Sequence, residues 1–224
     1  MRIALGIPVV DHVPGEAVFS HYALCATIGR RGQVVVPSVL NLMPHDKARN
    51  LIMTVARENN ADYLMFVDSD MVVKPDAFDL LLETLQKNKC VMAAGHAYRR
   101  GYPFTPTWFK FKGEELFQVT ASQGVHEIDA CGLACNLIDL KWIWENLEKP
   151  YFFTGKDGDK RIWEDTFFCK KIRDKGGKIF GDARVRCGHL RTRVAVDDSN
   201  ADRLRQEFMK QVERKEIFLE EPER

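Results

Sequence analysis

Between residues 3 and 94 the chain alternates short apolar runs with stretches of helical period, and this alternation limits the fold more than any other feature. Ile3 to Val10 is a continuous apolar run bounded by Asp11 and Pro14, the pattern of a strand buried on both faces. A helix is expected from about Ala17 to Ile28, stopping at Gly29. Val34, Val35 and Val36 form a short β-branched strand expected to end at Pro37. From about Asp46 to Asn60 a second helix is expected, with Ala48, Leu51, Ile52, Val55 and Ala56 at i, i+3, i+4, i+7 and i+8. That stripe leaves Lys47, Arg49 and Asn50 outside the apolar face. Tyr63 to Val67 is another strand, Pro75-Asp76 opens a helix running to about Lys87, and Val91 to Ala94 begins one more strand. The order β-α-β-α-β-α-β predicts an α/β chain with parallel strands and crossover helices.

After Gly95 the texture changes. Short strands are expected over Thr107–Phe111, Leu116–Thr120 and Val125–Ile128, followed by a helix over Leu140–Leu147. A polar loop from Gly155 to Lys160 precedes a helix from about Glu164 to Lys175, which ends at Gly176-Gly177. Ile179–Cys187 supplies a further strand before Gly188-His189, and Leu204, Phe208 and Val212 mark a C-terminal helix at about 199–220. No repeat or linker interrupts the chain, so residues 1–224 are expected to form one domain whose second half is more antiparallel.

Thirty-three Lys and Arg against 32 Asp and Glu give a net charge of +1, which excludes binding to nucleic acid or anionic membrane by bulk charge. No uncharged run reaches the ~18 apolar residues of a membrane helix. The first apolar run ends at Asp11 without a small-residue cleavage site, so it reads as a strand and not a signal peptide. The six cysteines lie mostly in apolar runs, as expected of reduced core thiols in a cytoplasmic protein. Cys131, Cys135, Cys187 and His189 lack the tight paired spacing of a structural zinc site.

Asp68-Ser69-Asp70 is the sharpest chemical signal. A D-x-D triplet alone is weak, since Asp157-Gly158-Asp159 matches it too. The first triplet, however, leaves the carboxyl end of a buried strand, where open α/β sheets place ligands. If the chain stays extended there, alternation puts both carboxylates on one side. Two hard oxygen ligands can hold Mg²⁺ or Mn²⁺, which can neutralise a diphosphate. Glu164 and Asp165 open a helix whose dipole stabilises their charge, and the same placement keeps an Asp ionised as a general base needs. His189 alone reads as a hydrogen-bonding residue; beside a metal site its imidazole suits a third ligand.

In this order the motifs resemble a GT-A fold glycosyltransferase of the small family-2-like group. The resemblance rests on Ile7-Pro8-Val9, Ala48-Arg49-Asn50, Asp68-Ser69-Asp70, Gly132, Glu164-Asp165 and Gly188-His189, and it covers roughly residues 2 to 190. It implies an α/β fold with a mixed sheet flanked by helices, a donor half at about 1–95 and an acceptor half at about 96–190. It further implies a nucleoside-diphosphate sugar donor, UDP-linked first, and a Mn²⁺ or Mg²⁺ cofactor held by Asp68, Asp70 and His189. Pro8, Val9, Asp11, Lys47, Arg49 and Ser69 would contact the nucleotide sugar. Asp165 would act as base beside Glu164 in an inverting transfer of a hexose or pentose, with Gly132 and Trp163 on the acceptor side. A nucleotidyltransferase is a competing class, but the loop from Val10 to Gly15 lacks its Gly-rich basic pattern. A non-catalytic nucleotide-sugar binder is another. The acceptor is open: saccharide, lipid, protein, or a hydroxylated DNA base approached through the basic residues between Lys170 and Arg193.

Overall fold

The computed structural model describes residues 1–9, 12–30, 34–40, 43–113, 115–158, 160–191 and 194–213. The first half runs β1 (Arg2–Pro8), α1 (Gly15–Gly29), β2 (Val34–Leu40), α2 (His45–Glu58), β3 (Tyr63–Val67), β4 (Met71–Val72), α3 (Ala77–Asn88) and β5 (Met92–Ala97). Then come β6 (Trp108–Lys112), β7 (Glu115–Gln118), β8 (Val125–Ile128), β9 (Ala130–Cys131), β10 (Cys135–Asp139) and α4 (Leu140–Asn146). The hairpin β11 (Gly155–Asp157) and β12 (Lys160–Ile162) leads into α5 (Glu164–Asp174), β13 (Ile179–Arg191), β14 (Val194–Val196) and α6 (Ala201–Glu213).

The main sheet has the order β14-β13-β5-β10-β3-β1-β2, with β4 and β8 also paired to β13. β1 lies parallel to β2 and β3, and β13 is parallel to β5, whereas β10 runs antiparallel between β3 and β5. The sheet is therefore mixed. Alternation along the strands builds two cores. Leu64 and Phe66 of β3 face α2, α4 and α5, where they meet Ile52, Ile143 and Phe168. Met65 and Val67 face α1 and α3, where they meet Leu24, Phe78 and Leu81. Among the described residues no helix is long and apolar enough to cross a membrane.

Several expected elements change in detail. β2 does not stop at Pro37 but continues to Leu40, with Pro37 opposite Leu5. β2 is an edge strand, where a residue without an N–H is tolerated. α2 is rotated relative to its expected stripe. Asp46 and Arg49 are buried with Ala48, Ile52, Met53 and Ala56, while Leu51 is exposed. The helix comes close to β1 because Gly6 has no side chain: a Cβ there would lie 2.7 Å from Ile52 Cγ2. The expected polar loop at 155–160 is the β11–β12 hairpin, and the C-terminal helix is described only to Glu213.

β13 is the longest strand, and it does two jobs. Its first part pairs with β5 and β8; its register then shifts between Asp182 and Arg186. A cluster around the buried Asp182 carboxylate holds this bulge. Thr84 Oγ1 donates to Asp182 Oδ2 at 2.7 Å, and Arg184 donates to both oxygens of the same carboxylate. Beyond the bulge, Gly188 and His189 pair antiparallel with Val72 and Met71 of β4. Beside this region α6 packs Leu204 and Phe208 against Phe104 and Tyr98.

Trp108 is fully buried, its indole so close to Gly181 that an added Cβ would meet it at 2.6 Å. Its Nε1 donates to the Gly95 carbonyl at 3.1 Å. Trp108→Ala should therefore destabilise the fold by about 3–5 kcal/mol. Urea unfolding measures this, and a change below about 1 kcal/mol would show that the indole does not lock β6 to β13.

Candidate active site

The carboxyl ends of β1 and β3, the start of β4 and the far end of β13 meet around a cleft of about 770 Å³. Pro8, His12, Pro14, His45, Asp68, Ser69, Asp70, Arg100, His189 and Leu190 line it. Asp68-Ser69-Asp70 is a turn and not extended strand, because the Met71 amide bonds back to the Asp68 carbonyl at 3.0 Å. The expected same-side alternation of the two carboxylates therefore fails. Each finds a different partner.

Asp68 Oδ1 accepts from Arg49 Nη2 at 2.8 Å, and Arg49 Nε lies 3.7 Å from Glu164 Oε1. The Arg49 side chain is 2% exposed, and its guanidinium lies 5.0 Å from the centroid of the Phe66 ring. Its Nε and Nη1 have no hydrogen-bond partner among the described residues. Arg49 thus joins the D-x-D turn to the start of α5 from inside the protein. The next residue extends the connection: Asn50 Oδ1 accepts from the Tyr151 and Phe152 amides, and its Nδ2 donates to the Phe152 carbonyl at 2.7 Å.

Asp70 Oδ2 contacts both Arg100 Nη1 at 2.7 Å and His189 Nε2 at 3.1 Å. His189 Nδ1 lies 2.8 Å from the Tyr98 carbonyl, an acceptor, so Nδ1 carries a proton and Nε2 is the nitrogen turned to Asp70. Burial disfavours charge on both side chains. For Asp70 the His189 hydrogen bond and charge, with Arg100, outweigh burial and hold the carboxyl below its ordinary value. For His189, burial is likewise outweighed by Asp70 and the Tyr98 carbonyl, so the imidazole titrates above its usual range. α1 anchors the segment that follows: Ser20 Oγ donates to the Val73 carbonyl and accepts from its amide, and His21 Nε2 donates to the Met71 carbonyl at 3.0 Å.

At α5, Asp165 Oδ1 accepts from the Thr166 amide at 2.6 Å. The helix start was expected to keep this carboxylate readily ionised. Burial first, and the adjacent Glu164 carboxylate second, instead push its pKa up to about 6. Trp163 at the N-cap is 48% exposed, and the Arg161 guanidinium lies 3.8 Å from its ring centroid.

The other expected contacts divide. Pro8 and Ser69 line the cleft, whereas Val9 is buried in the α1–α3 core. Lys47 is exposed on α2 and does not line the cleft. Asp11 lies outside the described residues. Gly132 packs against Thr107, whose carbonyl accepts its amide at 2.9 Å. Sequence reasoning missed His12, His45 and Arg100, for which no spacing gave a signal. Of the basic residues considered for DNA, Lys170, Arg173, Arg184 and Arg186 pair with Asp174, Asp129, Asp182 and Asp198.

Among the described residues no group of three or more His, Cys, Asp or Glu is preassembled for a metal. Asp70 and His189 nevertheless present a hard oxygen and an imidazole nitrogen together at the cleft, a donor pair that suits Mn²⁺ or Mg²⁺.

Residues 44–138 match the model of glycosyl transferase family 2, a stretch running from the start of α2 through the D-x-D turn into β10. The solved structure of A197 from STIV is similar at a TM-score of 0.61 and 19% identity, covering 89% of this chain and 91% of that one. The structure of GalNAc-T7 with UDP, GalNAc and Mn²⁺ is similar at a TM-score of 0.58 and 13% identity. That alignment covers 85% of this chain but 43% of the other, so this chain spans less than half of its length. A search of curated proteins finds no match. The fold is GT-A, and the family match over residues 44–138 supports a glycosyltransferase.

The electrostatics of α5 are testable without substrate. Removing the negative neighbour makes ionisation of Asp165 easier, so Glu164→Gln should move its midpoint down from about 6. Carboxyl ¹³C NMR titration reads this directly, and a midpoint that stays put or rises would contradict the arrangement.

Proposed function

We propose that the protein transfers a sugar from a nucleoside-diphosphate sugar, a UDP-sugar first, to an acceptor hydroxyl with inversion. The observation that carries this reading is the contact of Asp70 with His189 Nε2 in a cleft at the carboxyl end of the sheet. UDP and Mn²⁺ in the GalNAc-T7 structure support the choice of donor and cation.

In this reading Asp70 and His189 would hold Mn²⁺ or Mg²⁺, with Asp68 two residues from Asp70 in the same turn. The bound cation would neutralise charge on the departing diphosphate. The Tyr98 carbonyl keeps the Nδ1 proton in place, so Nε2 would be the nitrogen that binds, once the proton it shares with Asp70 is released to solvent. Pro8 and Ser69 border the nucleotide. Asp165 takes the proton of the attacking hydroxyl as the new bond from acceptor oxygen to anomeric carbon forms. The bond from that carbon to the diphosphate oxygen breaks, and its electron pair leaves with the diphosphate. A carboxyl with a pKa of about 6 suits a base at neutral pH: it is largely ionised yet holds a transferred proton better than an ordinary Asp. Arg49 serves as a positioning residue, holding Asp68 and Glu164 at a fixed separation.

A screen of nucleotide sugars with Mn²⁺, assayed for released diphosphate, tests the assignment. Asp70→Ala should abolish turnover and weaken UDP–Mn²⁺ binding. Asp165→Asn should keep UDP binding while turnover falls by about 10²–10⁴-fold. Full turnover in Asp70→Ala would refute the cation site, and full turnover in Asp165→Asn would refute the base.

A further inference from the structure

Arg100 stands out in the cleft because it has a partner it can readily leave. Its Nη1 lies 2.7 Å from Asp70 Oδ2, the same oxygen that contacts His189. The two neighbours differ sharply in confinement. The Arg100 side chain is 63% exposed and that of His189 is 18% exposed. Asp70 is 20% exposed, but the Arg100 end of the pair stands in water, where salt screens it and side-chain freedom opposes it. A cation arriving at Asp70 from the cleft would therefore displace the guanidinium more easily than the imidazole.

The backbone beneath Arg100 is well secured. The Arg99 amide bonds to the Thr105 carbonyl at 3.0 Å, and the Phe104 amide to the Gly101 carbonyl at 2.9 Å. Phe104 is fully buried against α6. From that helix Arg205 donates to the Pro103 carbonyl at 2.8 Å and to the Phe104 carbonyl at 3.0 Å, while Phe208 stacks on Tyr102 at 4.7 Å. A displaced Arg100 would therefore swing about its own side-chain bonds and stay at the rim of the cleft.

The chemistry of the cleft gives that guanidinium a second partner. Among the described residues lining it, Arg100 is the only Lys or Arg, beside Asp68 and Asp70. A nucleoside diphosphate brings several negative charges, and a guanidinium binds phosphate oxygens through paired N–H donors.

We propose that Arg100 has two working positions: it pairs with Asp70 while the cleft is empty, and it grips the donor's diphosphate once a divalent cation occupies Asp70. The proposal rests on the transferase reading above. It makes Arg100 a competitor of the cation and a partner of the nucleotide. Its removal must then shift the two affinities in opposite directions, which mere structural support of the loop would not do.

Calorimetric titration of the whole protein with Mn²⁺ alone, and with UDP at saturating Mn²⁺, tests this. Arg100→Gln should bind Mn²⁺ alone about 3- to 10-fold more tightly, with UDP binding about 10- to 100-fold weaker. Arg100→Lys, which keeps the charge but loses the fork, should restore UDP binding only in part. Unchanged UDP affinity in Arg100→Gln, or weaker Mn²⁺ binding, overturns the proposal. Asp70→Ala separates the two levels of inference. If it abolishes Mn²⁺ binding while Arg100→Gln shifts neither affinity, only the role of Arg100 falls. If the unaltered protein takes up neither Mn²⁺ nor UDP, the reading of the site falls, and the role of Arg100 with it.

Discussion

The buried guanidinium of Arg49 is shared between Asp68 and Glu164, and the geometry of the site follows from that sharing. A charge taken out of water is costly unless it is paired, and removing one partner of such a set is strongly destabilising. The D-x-D turn and the start of α5 are far apart in sequence, yet one cation in the core serves both. Phe66 beneath the guanidinium adds a favourable cation–π contact. Because α2 can approach β1 only over Gly6, the placement of Arg49 depends on a residue with no side chain. Asn50, one position on, pins the segment at 151–152 ahead of the β11–β12 hairpin. The Ala48-Arg49-Asn50 stretch is thus the fastening between the two halves of the chain.

A second fastening brings His189 to Asp70. The bulge in β13 shifts its register on β5 before the strand runs on to pair with β4, and the Asp182, Arg184 and Thr84 cluster sits at that shift. Ser20 and His21 of α1 fix the other side of the meeting point through the backbone at Met71 and Val73. The imidazole is then oriented by the Tyr98 carbonyl, at the root of the loop that carries Arg100. One short segment after β5 therefore orients the histidine and supplies the nearby arginine. α6 clamps that segment from outside.

Much of this was legible before any coordinates. β3 was expected over Tyr63–Val67 and β8 over Val125–Ile128, and both have those bounds. Such runs are decided by local pattern, since a short run rich in β-branched and aromatic residues suits a pleated, buried strand. β10 went unseen because Asn136 interrupts its apolar run, although that side chain is fully buried and donates to Cys131 Sγ. The α2 stripe was misplaced for the same reason. A pattern of apolar residues assigns polar ones to the surface, and Arg49 and Asp46 are inside.

The sequence by itself determined the class of fold, the α/β alternation, and the acidic turn, the Glu164-Asp165 pair and His189 as residues to watch. These depend on composition over a few neighbouring positions, where hydrophobic period and turn chemistry act. Only the tertiary structure decided which charges touch. It separated Asp68 from Asp70, put Arg49 in the core and Arg100 in the cleft, and raised Asp165 by burial. Electrostatic energies depend on distance and on exclusion of water, and neither is a property of any short stretch of chain.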